Sequence, residues 1–296
     1  MPKITIHTAT YNRAFILHKA YESLKSQTCK DFEWIISDDS TEKLVSCWLK
    51  EDNGFDIVYR KLAHVGFPRA LNDGVTHARF PWFLMLDSDD YLLPHTIEKI
   101  QPWISEIEDA KGFAGIGVTR RYPDGKHMKD LTPKIDPSIG YVDASYSDRH
   151  LLNLNMDCFE VTRTELFREY PFQYWPTEEY APPALNYNAM SLDGWKWRWR
   201  DDMLYICSYL DDGLTRSNLK VKNNPMGYAM MYNQDLLRFK DFKSCLYNSI
   251  QMTALTLQAG NPQYLLSSNK MLFTIITLPL GIIWAIRRKI QFSKMK

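Results

Sequence analysis

The sequence predicts an α/β protein with a Rossmann-like, mainly parallel central sheet flanked by helices, followed by a helical C-terminal extension. Short apolar runs at residues 3–8, 33–37, 56–59 and 82–86 alternate with helix-patterned stretches at 13–27, 41–50 and 68–78. Strand and helix alternating at this spacing build βαβ units around a parallel sheet. The second observation is that the runs end in acidic residues, and the third is an uncharged apolar stretch at 271–286 near the end of the chain.

Later elements follow the same logic. Leu93-Pro94 opens a helix running to about Ala110, with proline tolerated near its first turn. A further strand is expected at 113–119, and 122–146, rich in proline, glycine, aspartate and lysine, reads as an inserted loop or hairpin. Residues 195–200 and 203–210 alternate again, and a helical region at 225–258 leads to the tail. In Trp195-Lys196-Trp197-Arg198-Trp199-Arg200 a strand places three indoles on one face and three cations on the other. The indoles either cover core or offer a stacking platform to a ligand, with the cations facing its anionic groups.

Composition narrows the class. With 45% hydrophobic and 24% charged residues the chain is globular, not disordered, collagen-like or a disulfide scaffold. A mean hydropathy of −0.36 excludes a polytopic membrane protein. Lysine and arginine number 36 against 35 acids, so no overall basic field draws the chain onto nucleic acid. The balance hides an asymmetry: residues 287–296 hold Arg287, Arg288, Lys289, Lys294 and Lys296 with no acid, which leaves the body net acidic.

Five scattered cysteines, Cys29, Cys47, Cys158, Cys207 and Cys245, show no CxxC spacing and read as reduced thiols. With no apolar leader after Met1-Pro2-Lys3, the body is expected in the cytoplasm. Seven dispersed histidines without an HExxH pair imply no zinc site. The 271–286 stretch is shorter than the roughly 20 residues a spanning helix needs, and Pro279 and Gly281 interrupt it. It is therefore expected to lie at an interface or re-enter, drawn by its basic neighbours to anionic lipid on the inner face of the cytoplasmic membrane. The alternative is a buried C-terminal helix with a solvated tail.

In an open parallel sheet ligands bind beyond the carboxyl ends of the strands. Here the second strand ends in Ser37-Asp38-Asp39-Ser40, and the fourth in Asp87-Ser88-Asp89-Asp90. Neighbouring carboxylates repel unless a cation or donor-rich ligand lies among them. Their hard oxygens suit Mn2+ or Mg2+ held jointly with substrate phosphates. Asp90 is placed to cap the next helix.

Over about residues 3–215 these pieces resemble the inverting nucleotide-sugar transferases of glycosyltransferase family 2, of the bacterial polysaccharide type. The matching segments are Thr8-Ala9-Thr10-Tyr11-Asn12-Arg13, Phe32 to Ser40 with its paired aspartates, Val65-Gly66-Phe67-Pro68-Arg69-Ala70-Leu71-Asn72, and Leu86-Asp87-Ser88-Asp89-Asp90 as the DxD element. The resemblance implies a GT-A fold at 1–220, with a nucleotide-binding half at about 1–120 and an acceptor-binding half at about 121–220, ahead of a helical region at 221–296. It places Thr8, Tyr11, Arg13, Asp38, Asp39, Arg69 and Asp87 on the nucleotide, Tyr11 stacking on the base and Asp39 accepting from a uracil N–H. Asp89 and Asp87 hold the metal.

A base is implied in Pro176-Thr177-Glu178-Glu179-Tyr180-Ala181-Pro182-Pro183, with Glu179 favoured over Glu178 and Asp157 in reserve. Many relatives carry lysine where Phe67 stands, so one phosphate contact is missing here. Tyr209-Leu210-Asp211-Asp212-Gly213-Leu214-Thr215-Arg216-Ser217 resembles a loop that closes over the donor. The implied activity is metal-dependent transfer of a sugar from a nucleotide-sugar, a UDP-sugar first, to a saccharide or lipid-linked saccharide. Two alternatives stand beside it. A catalytically inactive, membrane-tethered binding relative predicts a damaged metal site, whereas Asp87 and Asp89 are both present. A nucleotidyltransferase predicts a glycine-rich loop after the first strand, and residues 8–13 contain no glycine.

Overall fold

The structure, a computed structural model, describes residues 3–41, 53–129, 131–207 and 219–293. The expected helix at 41–50 and the loop at 209–217 fall outside them, wholly or nearly so, as do Cys47, Lys294 and Lys296. The chain divides into two compact units, Met1–Pro171 with Ala189–Leu210, and Phe172–Asn188 with Asp211–Lys296.

In the first unit the elements run β1 (Ile4–Thr10), α1 (Ala14–Lys25), β2 (Phe32–Asp38), β3 (Asp56–Lys61), α2 (Phe67–His77), β4 (Trp82–Met85), β5 (Tyr91–Leu92), α3 (Thr96–Ser105), β6 (Phe113–Thr119), β7 (Val142–Ala144), β8 (Cys158–Arg163) and α4 (Thr164–Glu169). After α5 (Ala184–Leu192), which begins in the second unit, come β9 (Lys196–Arg200) and β10 (Tyr205–Ile206). The main sheet has the order β3-β2-β1-β4-β8-β6-β9-β7, and β5 pairs with β10. β1 runs parallel to both β2 and β4, with Ile4 opposite Phe32 on one side and Trp82 on the other. The strands are covered on both faces: Ile4, Ile6, Trp34, Ile36 and Leu84 are fully buried on one, and Thr5, His7, Ile35 and Phe83 are buried on the other.

The sheet is less uniform than the sequence suggests. β8 pairs antiparallel with β4 and with β6, so an antiparallel strand sits between the two parallel sets. The stretch at 122–146 contributes β7, and the helix expected to reach Ala110 ends at Ser105. Trp197 and Trp199 are fully buried, their indole N–H groups donating to the Thr162 hydroxyl at 3.1 Å and the Ala144 carbonyl at 3.0 Å. Arg198 and Arg200 bond to Glu106 on the opposite face, and Arg198 also to Asp143. These two indoles therefore cover core and do not serve as a sugar platform. Gly117 of β6 makes room for them, because a Cβ there would meet the Trp199 ring at 2.3 Å.

The second unit contains α6 (Leu219–Asn223), α7 (Pro225–Arg238), α8 (Phe242–Gln258), a 3-10 segment Pro262–Ser267 and α9 (Met271–Ser293). Asp241 caps α8 by accepting from the Ser244 N–H at 2.9 Å. The expectation that Pro279 and Gly281 break the apolar stretch is corrected: α9 is continuous over 23 residues. Pro279 lies on the exposed side of the helix, and Gly281 lets it approach Thr253 of α8. By length and composition α9 is long and apolar enough to cross a membrane.

Candidate active site

The chain proceeds from β1 to β2 and β3 on one side and then returns to β4 on the other. That reversal opens a crevice beyond the carboxyl ends of β1 and β4, the usual ligand position in an open α/β sheet. Tyr11 leaves β1 here, 46% exposed, its ring stacked on His64 with centroids 4.9 Å apart. His64 is held at φ 57°, in the left-handed region, beside Gly66 at φ 91°. Thr8 is fully buried and accepts from the Trp34 indole at 3.0 Å, so its hydroxyl serves the core instead of a ligand.

At the end of β2 the two aspartates turn inward. Asp38 is fully buried and accepts from the Tyr59 hydroxyl at 2.5 Å and the Ser40 N–H at 3.0 Å, with Lys61 at 3.7 Å. Burial opposes its ionisation, yet the bonds from Ser40 and Tyr59 and the charge of Lys61 outweigh it and lower the pKa. Asp39 accepts from the Val65 and Gly66 N–H groups at 2.6 and 2.7 Å. Asp39 thus fastens the loop leading into α2 and Asp38 fastens β3, and the expected ligand role of Asp38 gives way to a structural one. Arg69, in the first turn of α2, donates to the Val65 carbonyl at 2.9 Å.

The end of β4 differs. Arg13 pairs with Asp89 at 2.9 Å, and Arg120 with Asp87 at 2.6 Å and Asp90 at 3.5 Å. Asp90 does not cap α3, whose cap position is His95, because β5 intervenes. Arg120 follows β6 and lies 4.2 Å from the centroid of the Tyr205 ring. Its burial disfavours the charge, but Tyr205, Asp87, Cys207 and Asp90 hold its pKa well above the ordinary value. Among the described residues its Nε has no hydrogen-bond partner. Nearby, burial raises Glu160 to about 7 despite Arg149 at 3.6 Å. Asp157, just before β8, is exposed, and its carbonyl accepts from the Arg120 N–H at 3.0 Å.

Among the described residues no group of three or more histidine, cysteine or acidic side chains is arranged to hold a metal ion. Asp87 and Asp89 nonetheless fit a divalent ion shared with a diphosphate, which takes one or two carboxylates from the protein and the rest of its oxygens from phosphate and water. Both carboxylates are paired with guanidinium groups, of Arg13 and Arg120, that a phosphate can also attract.

In the second unit Glu178 and Glu179 point apart. Glu178 is buried and accepts from the Met226 and Gly227 N–H groups, each at 2.7 Å, at the start of α7. Burial raises its pKa against the pull of those two donors. Glu179 is exposed, while its backbone N–H and that of Tyr180 both donate to Asn224 Oδ1.

A family model described as glycosyl transferase family 2 matches residues 5–170, more than half of the 296 residues. The chain belongs to that family. A GalNAc(5)-diNAcBac-PP-undecaprenol beta-1,3-glucosyltransferase of Campylobacter jejuni is 30% identical over 110 residues, 36% of this chain and 36% of that protein. The first curated relatives are matched over only about a third of their own length. S. aureus TarS 1–349, solved with UDP, superposes with a TM-score of 0.59 at 15% identity, covering 89% of this chain and 75% of that one. The mannosyltransferase PcManGT of Pyrobaculum calidifontis, solved with GDP-Man and Mn2+, gives 0.56 at 12% identity over 98% and 87%. These likenesses establish the fold, the GT-A-like architecture implied by the sequence motifs.

For this family member, sequence reasoning missed Arg120, Tyr205 and the Glu160–Arg149 pair. Arg120-Arg121 stands directly after the 113–119 run. The strand-end rule that found the aspartates therefore also marks Arg120, once it is applied to cations.

Proposed function

We propose that the chain is a metal-dependent inverting glycosyltransferase that moves a sugar from a nucleotide-sugar, a UDP-sugar first, to a saccharide or lipid-linked saccharide in cell-surface polysaccharide or glycan synthesis. The observation that carries this reading is the gathering of Tyr11, Arg13, Asp87, Asp89 and Arg120 around the strand ends of one sheet. An aromatic face, exchangeable acids and cations are what a base, a metal and a diphosphate require.

In the proposed reaction the acceptor hydroxyl oxygen bonds to the anomeric carbon from the side opposite the diphosphate. The bond from that carbon to the diphosphate oxygen breaks, its electron pair leaves with the nucleoside diphosphate, and the hydroxyl proton passes to a carboxylate. Glu179 is assigned that base role, since the Glu178 oxygens are spent on the α7 backbone. Arg13, Arg69 and Arg120 neutralise charge growing on the leaving group. Bound Mn2+ or Mg2+ supplies further Lewis-acid neutralisation there, and Asp87 and Asp89 are the residues that would hold it.

The reading extends to location. The apolar α9 with its basic neighbours supports work at the inner face of the cytoplasmic membrane, where a lipid-linked acceptor is presented. The test is calorimetric titration of UDP, with GDP and CDP as controls, with and without manganese, on wild type and Asp89→Ala. Manganese-dependent UDP binding that disappears in the variant is expected. A folded, metal-loaded sample that binds no nucleotide would reject the reading in favour of an inactive relative.

A further inference from the structure

One stripe of α9 is covered and the rest is bare. Its buried residues, Thr274, Thr277, Gly281 and Phe292, recur at helical spacing. The Ser249 hydroxyl of α8 donates to Thr274 at 3.1 Å and accepts from Thr277 at 2.9 Å. A Cβ on Gly281 would come within 2.4 Å of Thr253. Lys270, just before the helix, reaches the Cys245 sulfur at 2.9 Å, and the Arg288 guanidinium bonds to Gln251. From Lys270 on Cys245, through Thr274 and Thr277 on Ser249, to Gly281 on Thr253, contact advances along both helices in the same direction, so α9 lies parallel on α8 over that stretch, and Arg288 reaches back to Gln251. The α8 side is polar and closed, with Asn248, Ser249, Gln251 and Thr253 buried.

The remaining circumference is apolar: Leu272, Ile275, Ile276, Ile283, Ile286 and Ile290 are all more than half exposed, and only 17% of the apolar window is buried. The surface continues onto Phe242 of α8, 70% exposed, whose ring lies 5.7 Å from that of Phe273. Arg287 and Lys289 are exposed at the far end, with the Arg287 guanidinium 5.2 Å from the centroid of the Trp284 ring.

We propose that α9 lies in the plane of an anionic bilayer and does not cross it. The inference deepens the membrane reading above and rests on it. A helix that crosses must be released from its neighbour or take it along. Release strips the hydroxyl contacts with Ser249 and exposes polar groups to hydrocarbon, and taking α8 along carries Asn248 and Gln251 into the bilayer core. Lying flat keeps the hydroxyl stripe on α8, sinks the bare face about 5–10 Å into the boundary between headgroups and acyl chains, and leaves Arg287 and Lys289 beside lipid phosphates. Trp284 is a residue type that favours that boundary. The occupant is thus anionic lipid, to which the acid-free end of the chain is complementary in charge.

The test uses the full chain with a C-terminal epitope tag. Flotation with phosphatidylglycerol vesicles is expected, weakening in high salt. The double substitution Ile276→Asp with Ile283→Asp, both on the bare face, should lower the bound fraction about tenfold or more. In inverted membrane vesicles from expressing cells, protease added outside should remove the tag. A protected tag would mean a crossing helix and overturn the proposal. So would unchanged flotation of the double variant, or a stable dimer by light scattering that ignores vesicles, which would mean that a second copy covers the face. Titrating UDP into the same preparation separates the failures: nucleotide binding without vesicle binding sinks the docking alone.

Discussion

The ends of β2 and β4 carry nearly the same sequence and do opposite things. At β2 the carboxylates of Asp38 and Asp39 bond to groups fixed in the fold, the Tyr59 hydroxyl and the N–H groups of Ser40, Val65 and Gly66. At β4 the carboxylates of Asp87 and Asp89 face the guanidinium groups of Arg120 and Arg13. A backbone donor cannot leave its acceptor without unfolding a loop, whereas an arginine side chain can turn to an arriving phosphate and release the carboxylate to a metal ion. An acid at a strand end is therefore read by its partner. Glu178 and Glu179 repeat the contrast: one carboxylate is fixed on α7, and its neighbour is exposed.

Substitutions that exchange the two behaviours test this distinction. The largest effect is expected for Asp89→Ala, which should abolish manganese-dependent UDP binding and lower transfer about a thousandfold or more, with the melting temperature nearly unchanged. Next comes Glu179→Gln, expected to reduce kcat by about 10²–10⁴-fold while UDP affinity measured by calorimetry stays at the wild-type value. Equal loss in Glu178→Gln, at unchanged stability, would invert the assignment of the two glutamates. Arg120→Lys keeps the charge but loses the planar fork, and kcat/KM should fall about 10–100-fold.

At β2 the readout moves from activity to stability. Asp38→Ala removes the acceptor of the Tyr59 hydroxyl and of the Ser40 N–H and should cost about 2–3 kcal/mol in urea unfolding, with UDP affinity intact in the folded fraction. The smallest effect is in acid. Asp38 has a lowered pKa in the folded state, so its contribution is present above the ordinary carboxyl value and is lost as pH falls below about 4. Unfolding midpoints followed downward in pH should show that loss in wild type and not in Asp38→Asn. Activity lost together with stability at β2, or stability lost at Asp89, would erase the difference between the two ends.

Much of the first unit was legible because apolar runs and acidic strand ends are local signals. The runs at 3–8, 33–37, 56–59 and 82–86 became β1 to β4 within a few residues. β8 was not legible, because its polar positions look solvent-facing in sequence while Glu160 and Thr162 are buried against Arg149 and Trp197 from distant segments. Asp38 and Thr8 were misread for the same reason: their hydroxyl and indole partners lie 21 and 26 residues away. Pro279 misled in the other direction. A proline removes one bond to the carbonyl four residues back and crowds that carbonyl, yet α9 continues through Pro279, which lies on the exposed side, opposite the stripe that packs on α8. Arg120 was missed because the search for strand-end chemistry was confined to acids.

The position of β8 between β4 and β6 also governs how the molecule is made. Trp82 has its partner in Arg163, and Thr119 in Cys158, so both strands emerge from the ribosome with an open edge. At ordinary elongation rates the nascent chain waits on the order of ten seconds between completing β4 and completing β8. Throughout that interval the β8 side of β4 is open, and once β6 is made the two strands are free to join each other or a neighbouring polypeptide. Translation that stalls before residue 158 would leave β4 open on one side and β6 without either neighbour, and that intermediate is the form most in need of a chaperone.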